Sequence, residues 1–373
     1  MTAFGLTDEQ EILLREARRI GKEHLTPIAT EGEAGRVNRQ LVQALAENGL
    51  LPRLFPEYGP VSAMDLCLLR EALAQESTEA ETALALQGLG AYPILQSGRE
   101  ELVRRWIPAV AQGKAVAAFA LTEPQHGSDA AALELSAERD GDGYRLTGTK
   151  AYISNAPEAD VYTMFARTTP EAGAKGVTAF VVPGDVESLS GEPIALLAPH
   201  AIGRLELKGV RVPGDHVLGE VDQGFAVAMK TLDLFRPSVG AFAVGMAQAA
   251  LDASVSHAGT RRSMGKLLRE HQAISQLLGE MATRTEAARL LVYAAAAAYD
   301  AGAPHVRRAS AMAKLFATET AQWVVDAAVQ MHGAAALERG HLLEHLYREV
   351  RAPRIYEGTS EIQREIIARD LYR

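Results

Sequence analysis

The sequence predicts a mainly α-helical protein carrying one short β insert. Three observations predict it. Apolar residues recur at helical spacing through the first third of the chain. They switch to alternation with period two between about residues 118 and 224, then return to long Ala- and Leu-rich runs broken by Gly and Pro. At 373 residues the chain exceeds a typical single core, and two or three domains are expected.

In order, Thr7-Asp8-Glu9-Gln10 reads as a capping box that opens the first helix. Leu41, Leu45 and Ala46 follow a 3.6-residue period, and residues 64–75 form an amphipathic run. Leu133, Leu135 and Ala137 are answered by Tyr144 and Leu146 across Asp140-Gly141-Asp142-Gly143, which predicts a hairpin. Further strands are expected at 177–182 and 205–212. Long helices follow at 225–257, 267–300 and 306–332, an antiparallel bundle by their length and short connections. No sustained repeat interrupts this order.

The net charge of −9 is spread over intermixed acidic and basic residues with no Lys/Arg tract, which argues against nucleic acid as a partner. Cys67 is the single cysteine, so an intrachain disulfide and a thiolate metal cluster are both excluded, and a core thiol in a reducing compartment is expected. The N-terminal ten residues lack the basic and apolar regions of a secretory signal and the Arg- and Ser-rich character of a transit peptide, which points to the cytoplasm. The most apolar windows, such as 290–299, span about half of the roughly 20 residues a membrane helix needs. They read as buried helices, with no membrane span.

Near the end of the chain, Tyr356-Glu357-Gly358-Thr359-Ser360 presents one carboxylate on a turn before a helix. Gly358 permits a backbone closed to other residues, and Ser360 and Gln363 read as a capping box, with Ile362 and Ile366 one turn apart. That is a place for a catalytic base, although a solvated Glu beside a helix N-terminus is the plainer reading of the pentapeptide alone. Upstream, the 120–129 loop (Ala120-Leu121-Thr122-Glu123-Pro124-Gln125-His126-Gly127-Ser128-Asp129) offers hydroxyls on a fixed turn suited to a polar ring or a phosphate. Residues 148–156 again join a strand to Tyr152 and Ser154, and the bundle carries Arg261-Arg262-Ser263-Met264-Gly265, His271-Gln272 and Gln330-Met331-His332-Gly333-Ala334. His341, Glu344 and His345 fit an H-x-x-E-H pattern that would make a zinc hydrolase; its plain alternative is a polar helix face.

Together and in this order the separated motifs resemble the acyl-CoA dehydrogenase family, from near Leu6 to Leu371. The resemblance implies an N-terminal α-helical domain (1–117), a middle β-barrel (118–223) and a C-terminal four-helix bundle (224–373). It also implies FAD between the barrel and the bundle of two subunits, usually in a homotetramer arranged as a dimer of dimers. Carried over by position, Phe119, Leu121 and Thr122 line the flavin, Tyr152 and Ser154 cover its other side, and Ser128 stands where pyrophosphate and substrate meet. Arg261, Ser263, Met264, Gln272, Gln330 and Gly333 match positions that reach the cofactor from a neighbouring subunit. Thr359 and Glu361 close the site, while Asp233, Arg236 and Gly358 contact the substrate side.

The reaction the resemblance implies is α,β-dehydrogenation of an acyl-CoA thioester, with Glu357 as base and the flavin as hydride acceptor, and electrons passed to an electron-transfer flavoprotein. No metal takes part. An acyl thioester oxidase, or a dehydrogenase acting on an acyl-carrier-protein substrate, is the alternative within this frame. Some members of the family carry their base directly before the arginine matching Arg236; here that residue is Phe235, leaving Glu357 as the sole base at a family position. The chain departs from the family in the loop 197–203 with His200, in Met264 where Phe is common, and in Ala334 where a second Gly is common. Chain-length preference would depend on residues 84–94 and Phe235.

Overall fold

Thr7 opens the first helix by the expected capping box: its hydroxyl accepts from Gln10 N and its own N–H donates to Gln10 Oε1. The computed structural model describes residues 5–56 and 60–372, so the first four residues of the N-terminal segment discussed above lie outside the described residues. Helices α1 (Asp8–Ile20), α2 (Thr26–Thr30), α3 (Arg39–Glu47), α4 (Ala63–Glu76), α5 (Thr78–Ser97) and α6 (Glu100–Ala111) come first. Strands β1 (Ala117–Ala120), β2 (Ser136–Asp140), β3 (Gly143–Ser154), β4 (Val161–Arg167), β5 (Val177–Pro183), β6 (Leu189–Pro193), β7 (Ile202–Pro213) and β8 (Val217–Leu218) follow. The chain ends with α7 (Gly224–Thr260), a short hairpin of β9 (Arg262–Ser263) and β10 (Lys266–Leu267), α8 (Gln272–Asp300), α9 (Val306–His332), α10 (Leu342–Glu349) and α11 (Ser360–Asp370).

By contact the chain forms two compact units. One comprises residues 1–23, 62–81 and 233–373; the other comprises 24–61 and 82–232. In the first, α8 and α9 pack along each other, α11 lies on α9, and α7 joins them at Gly240, where a Cβ would meet Val292 Cγ2 at 2.7 Å and Ala317 Cβ at 3.4 Å. These four helices make the bundle. Against it lies α4, expected to be amphipathic but buried on all sides, with Asp65 alone half-exposed between Ala63 and Ala74. Tertiary cover overrides the pattern here: α1 and α8 both pack on α4, and Gly245 of α7 brings backbone to backbone, since a Cβ there would stand 2.5 Å from Glu71 O. Burial pushes the Cys67 thiol on α4 far above its ordinary value, so it is an inert core group.

Helix α8 begins at Gln272, not near residue 267, because the β9–β10 hairpin and a single 3-10 turn occupy the preceding residues. Its apolar 290–299 stretch is not wholly buried: Val292 and Ala296 are, while Leu290 and Leu291 are exposed. Among the described residues α7 is the one helix long and apolar enough to cross a membrane, longer than the ten-residue windows read from sequence. Of its apolar 18-residue window 78% is buried inside the protein, as in a core helix.

The second unit is built on an eight-stranded sheet of order β6-β7-β3-β2-β4-β5-β8, with β1 parallel to β4. The predicted hairpin is present with Ala137 opposite Leu146 and Arg139 opposite Tyr144, turning on Gly141-Asp142 with Gly141 at φ +62°. Strand β2 starts at Ser136, so Leu133 and Leu135 are buried ahead of it rather than within it. Two strands separate β3 from β5, yet the rings of Tyr144 and Phe180 meet at 5.2 Å, because the sheet curls around a single apolar core. Its helices are tied to it by buried polar bonds. Gln87 donates to Ala115 O and accepts from Ala117 N, both at 2.8 Å, and Thr163 donates to Gly90 O at 2.8 Å.

Candidate active site

The turn before α11 is held in an unusual backbone. Glu357 itself has φ +52° and Gly358 φ +91°, so two successive residues are left-handed. A non-glycine residue pays for this conformation only where its surroundings enforce it, and such residues gather at functional sites. The helix cap lies one residue earlier than predicted: Thr359 is the N-cap and its hydroxyl accepts from Ile362 N at 3.3 Å. Ser360 instead donates to Glu319 Oε1 at 2.6 Å, and Gln363 reaches past the cap to the carbonyls of Glu357 (3.1 Å) and Gly358 (3.0 Å). A Cβ at Gly358 would stand 2.6 Å from Gln363 Nε2. Gly358→Ala is therefore expected to dislodge Gln363 and to cost roughly 1–3 kcal/mol in backbone strain; urea unfolding checks it, an unchanged midpoint refuting it.

The Glu357 carboxyl is turned inward, with Oε2 shut from solvent and without a hydrogen-bond partner. Burial raises its pKa above the ordinary carboxylate value, while Arg70 on α4, then Arg236 on α7 and Lys314 on α9, pull it back down. Arg70 is a buried group ion-paired to Glu81 and donates to Ser238 Oγ at 2.7 Å. Arg236 is buried beside Asp233 at 3.1 Å, and Asp233 also pairs with Arg307 at 3.2 Å. The Nε of Arg236 has no partner. The structure thus brings together Glu357, Gly358, Thr359, Arg236 and Asp233, whereas Glu361 points outward to Arg364 at 3.3 Å. Among the described residues the main-chain N–H of Glu357 meets no acceptor.

Elsewhere in the same unit, Arg261, Ser263, Met264 and Gln272 cluster around the β9–β10 hairpin and are all exposed, Met264 at 93% and with φ +49°. Exposed Gln330 and Gly333 end α9 nearby, since His257 at the end of α7 stacks on His332 with centroids 4.1 Å apart. The zinc pattern does not converge. His341 caps α10 through Nδ1, Glu344 pairs with Arg348 at 2.7 Å, and His345 meets Thr78 Oγ1 at 2.6 Å. Among the described residues no group of three or more metal-binding side chains forms.

In the second unit Thr122 and Tyr152 are brought together, because Ala151 N donates to Thr122 O at 3.0 Å. Tyr152 is half exposed and left-handed at φ +56°, and among the described residues the hydroxyls of Thr122 and Ser154, both partly exposed, meet no hydrogen-bond partner. Phe119 on β1 rests on Phe165 at 4.9 Å, Leu121 is buried, and Ser128 is exposed beyond the 123–126 turn. Glu123 in the 120–129 loop and Lys150 in the 148–156 strand have no role assigned from sequence. Both are buried: Lys150 Nζ donates to Glu123 Oε1 at 2.8 Å and to Leu121 O at 2.9 Å, and Glu123 also accepts from Glu134 N and Leu135 N. Burial lowers the Lys150 pKa to about 8 against the pull of Glu123. The pair fixes the loop from which Thr122 projects. Lys314 was missed as well, although a lone Lys among Ala311, Ala313 and Ala317 on one apolar helix was a readable signal.

Comparison with known proteins agrees along the whole chain. Residues 7–114 match the acyl-CoA dehydrogenase N-terminal domain, 118–210 the middle domain and 222–372 the C-terminal domain. Cyclohexane-1-carbonyl-CoA dehydrogenase of Geobacter metallireducens is 35% identical over 99% of this chain and 98% of its own. The solved butyryl-CoA dehydrogenase of Megasphaera elsdenii superposes with a TM-score of 0.93 at 32% identity, covering all of both chains. A chain from structural work on the electron transferring flavoprotein of Acidaminococcus fermentans and flavin-based electron bifurcation gives 0.94 at 32% identity, again with both chains fully covered.

Proposed function

This chain belongs to the acyl-CoA dehydrogenase family and is an oxidoreductase of that kind, and from this premise we propose that it desaturates an acyl-CoA thioester between its α and β carbons with Glu357 as the base. The observation that carries the reading is the buried, unpartnered Glu357 Oε2 on a left-handed turn whose N–H also has no acceptor among the described residues. An acid oxygen and a main-chain donor from one residue suit a thioester: the N–H polarises the carbonyl while the carboxylate takes the acidified α-proton.

FAD fits the residues present. The unpartnered hydroxyls of Thr122 and Ser154 and the outward Tyr152 are groups for holding a polar ring, with Phe119, Leu121 and Ser128 beside them. The exposed set Arg261, Ser263, Met264, Gln272, Gln330 and Gly333 suits a cofactor bound to a neighbouring copy. When bound, FAD supplies the acceptor for the hydride that leaves the β-carbon. Glu357 holds the proton, Arg236 and Asp233 line the substrate side, and Thr359 fixes the start of α11. The three family matches, at 7–114, 118–210 and 222–372, support three functional domains with the boundaries 1–117, 118–223 and 224–373, although by contact the chain packs into two units.

A homotetramer is part of the proposal, supported by Leu290, Leu291, Met312 and Phe316 exposed on α8 and α9. So is an electron-transfer flavoprotein as acceptor, supported by the likeness to the Acidaminococcus fermentans structure.

The test is an anaerobic visible-absorbance titration of the FAD-loaded protein with butyryl-, isobutyryl-, cyclohexane-1-carbonyl-, octanoyl- and glutaryl-CoA. Bleaching of the flavin band by one of them is the expected result. A yellow protein that none of them bleaches would overturn the substrate class.

A further inference from the structure

A fully buried ammonium lies on α9, and it is not among the groups assigned to proton and hydride transfer. Lys314 is 0% exposed, and its Nζ donates to Gly358 O at 2.7 Å. The same carbonyl also accepts from the neutral amide of Gln363 at 3.0 Å, so holding that oxygen does not by itself require a charge. Burying an ammonium is costly unless a counter-charge repays it. Glu357 is the leading anion that Lys314 faces, with Glu319 and Glu361 behind it and Arg236 opposing. Glu319 is already engaged by Arg354 at 2.8 Å and Ser360 at 2.6 Å, and Glu361 is exposed beside Arg364. Arg70 and Arg236, the other cations facing Glu357, are likewise engaged, by Glu81 and Asp233.

We propose that Lys314 is a positioning residue for the base: it fixes the Gly358 carbonyl and supplies the counter-charge that keeps the neighbouring Glu357 carboxylate ionised and ready to accept a proton. The inference rests on Glu357 being the base. Glu319 acts from the same helix and accepts from Ser360, so α9 holds the segment that follows the strained Glu357 at two points, Gly358 and Ser360.

The experiment measures kcat/KM against pH for the FAD-loaded wild type, Lys314→Gln, Lys314→Arg and Glu357→Gln, using the acyl-CoA of the panel above that bleaches the wild type fastest. Lys314→Gln keeps a donor and removes the charge. Its acid limb is expected to move up by about one pH unit, a roughly tenfold loss of rate below the limb, with FAD content unchanged. Lys314→Arg keeps the charge and should restore the wild-type limb. Coincident limbs for wild type and Lys314→Gln, with Glu357→Gln inactive, would sink the role of Lys314 and leave the base assignment standing. An active Glu357→Gln would sink the base assignment itself. An equal shift in Lys314→Arg would trace the effect to packing and also overturn the proposal. A double-mutant cycle on thermal unfolding needs no substrate: Lys314→Gln and Glu357→Gln should be non-additive, and additivity counts against the pairing.

Discussion

Glu357→Gln is expected to retain FAD and lose flavin reduction by acyl-CoA, by about 10²–10⁴-fold if general-base catalysis alone is removed. The amide matches the carboxylate in shape, so the left-handed turn and the Gln363 bonds to the carbonyls of residues 357 and 358 should persist. What disappears is an oxygen able to hold a proton where Oε2 now stands without a partner. Rapid-mixing absorbance under anaerobic conditions reads the rate, and a wild-type rate in the variant would remove Glu357 from the mechanism. The pH dependence has a definite sign. Burial raises the Glu357 pKa, so in the free enzyme the carboxyl stays protonated, and unable to act as base, to a higher pH than an exposed Glu. The acid limb of kcat/KM should accordingly lie above the ordinary carboxylate range, with rate gained as pH rises through it.

Lys150→Met is expected to be the most damaging single change in the second unit. It strands the buried Glu123 carboxylate, and breaking one side of a buried pair costs on the order of 3–5 kcal/mol. Two bonds to Glu123 survive, from Glu134 N and Leu135 N, which places the loss toward the lower end. Urea unfolding measures it, and the double change Lys150→Met with Glu123→Gln should recover part of the loss because no charge is left uncompensated. Since Lys150 also holds Leu121 O, the single variant should bind FAD less tightly. Unaltered stability together with unaltered FAD retention would show that the pair is dispensable.

Much of the architecture was readable because period carries it. The helix 306–332 ends at the predicted residues, and the hairpin turns where predicted, at Gly141-Asp142, with Ala137 opposite Leu146. The turn at Glu357 was readable too, because a Glu-Gly pair before a capped helix leaves a local signature. Apart from the start of α8, displaced by the adjacent hairpin, the failures share one cause, which is that cover from distant segments leaves no local mark. Helix α4 has an amphipathic pattern yet is enclosed by α1, α7 and α8. The cap moved from Ser360 to Thr359 because Glu319, 41 residues upstream, claims the serine hydroxyl. The Lys150–Glu123 pair spans 27 residues, and the Arg70–Glu81 and Arg236–Asp233 pairs meet around Glu357 only through tertiary packing.

The sheet of the second unit ends on β6, whose Ser190 to Pro193 are exposed. An open edge strand is a template on which another chain can polymerise. Here the edge is only five residues long, Pro193 contributes no N–H, and Glu192 places a charge there that is paired with Arg204 at 3.1 Å. Such an edge resists strand-by-strand aggregation, so concentrated preparations should stay free of amyloid-type fibres.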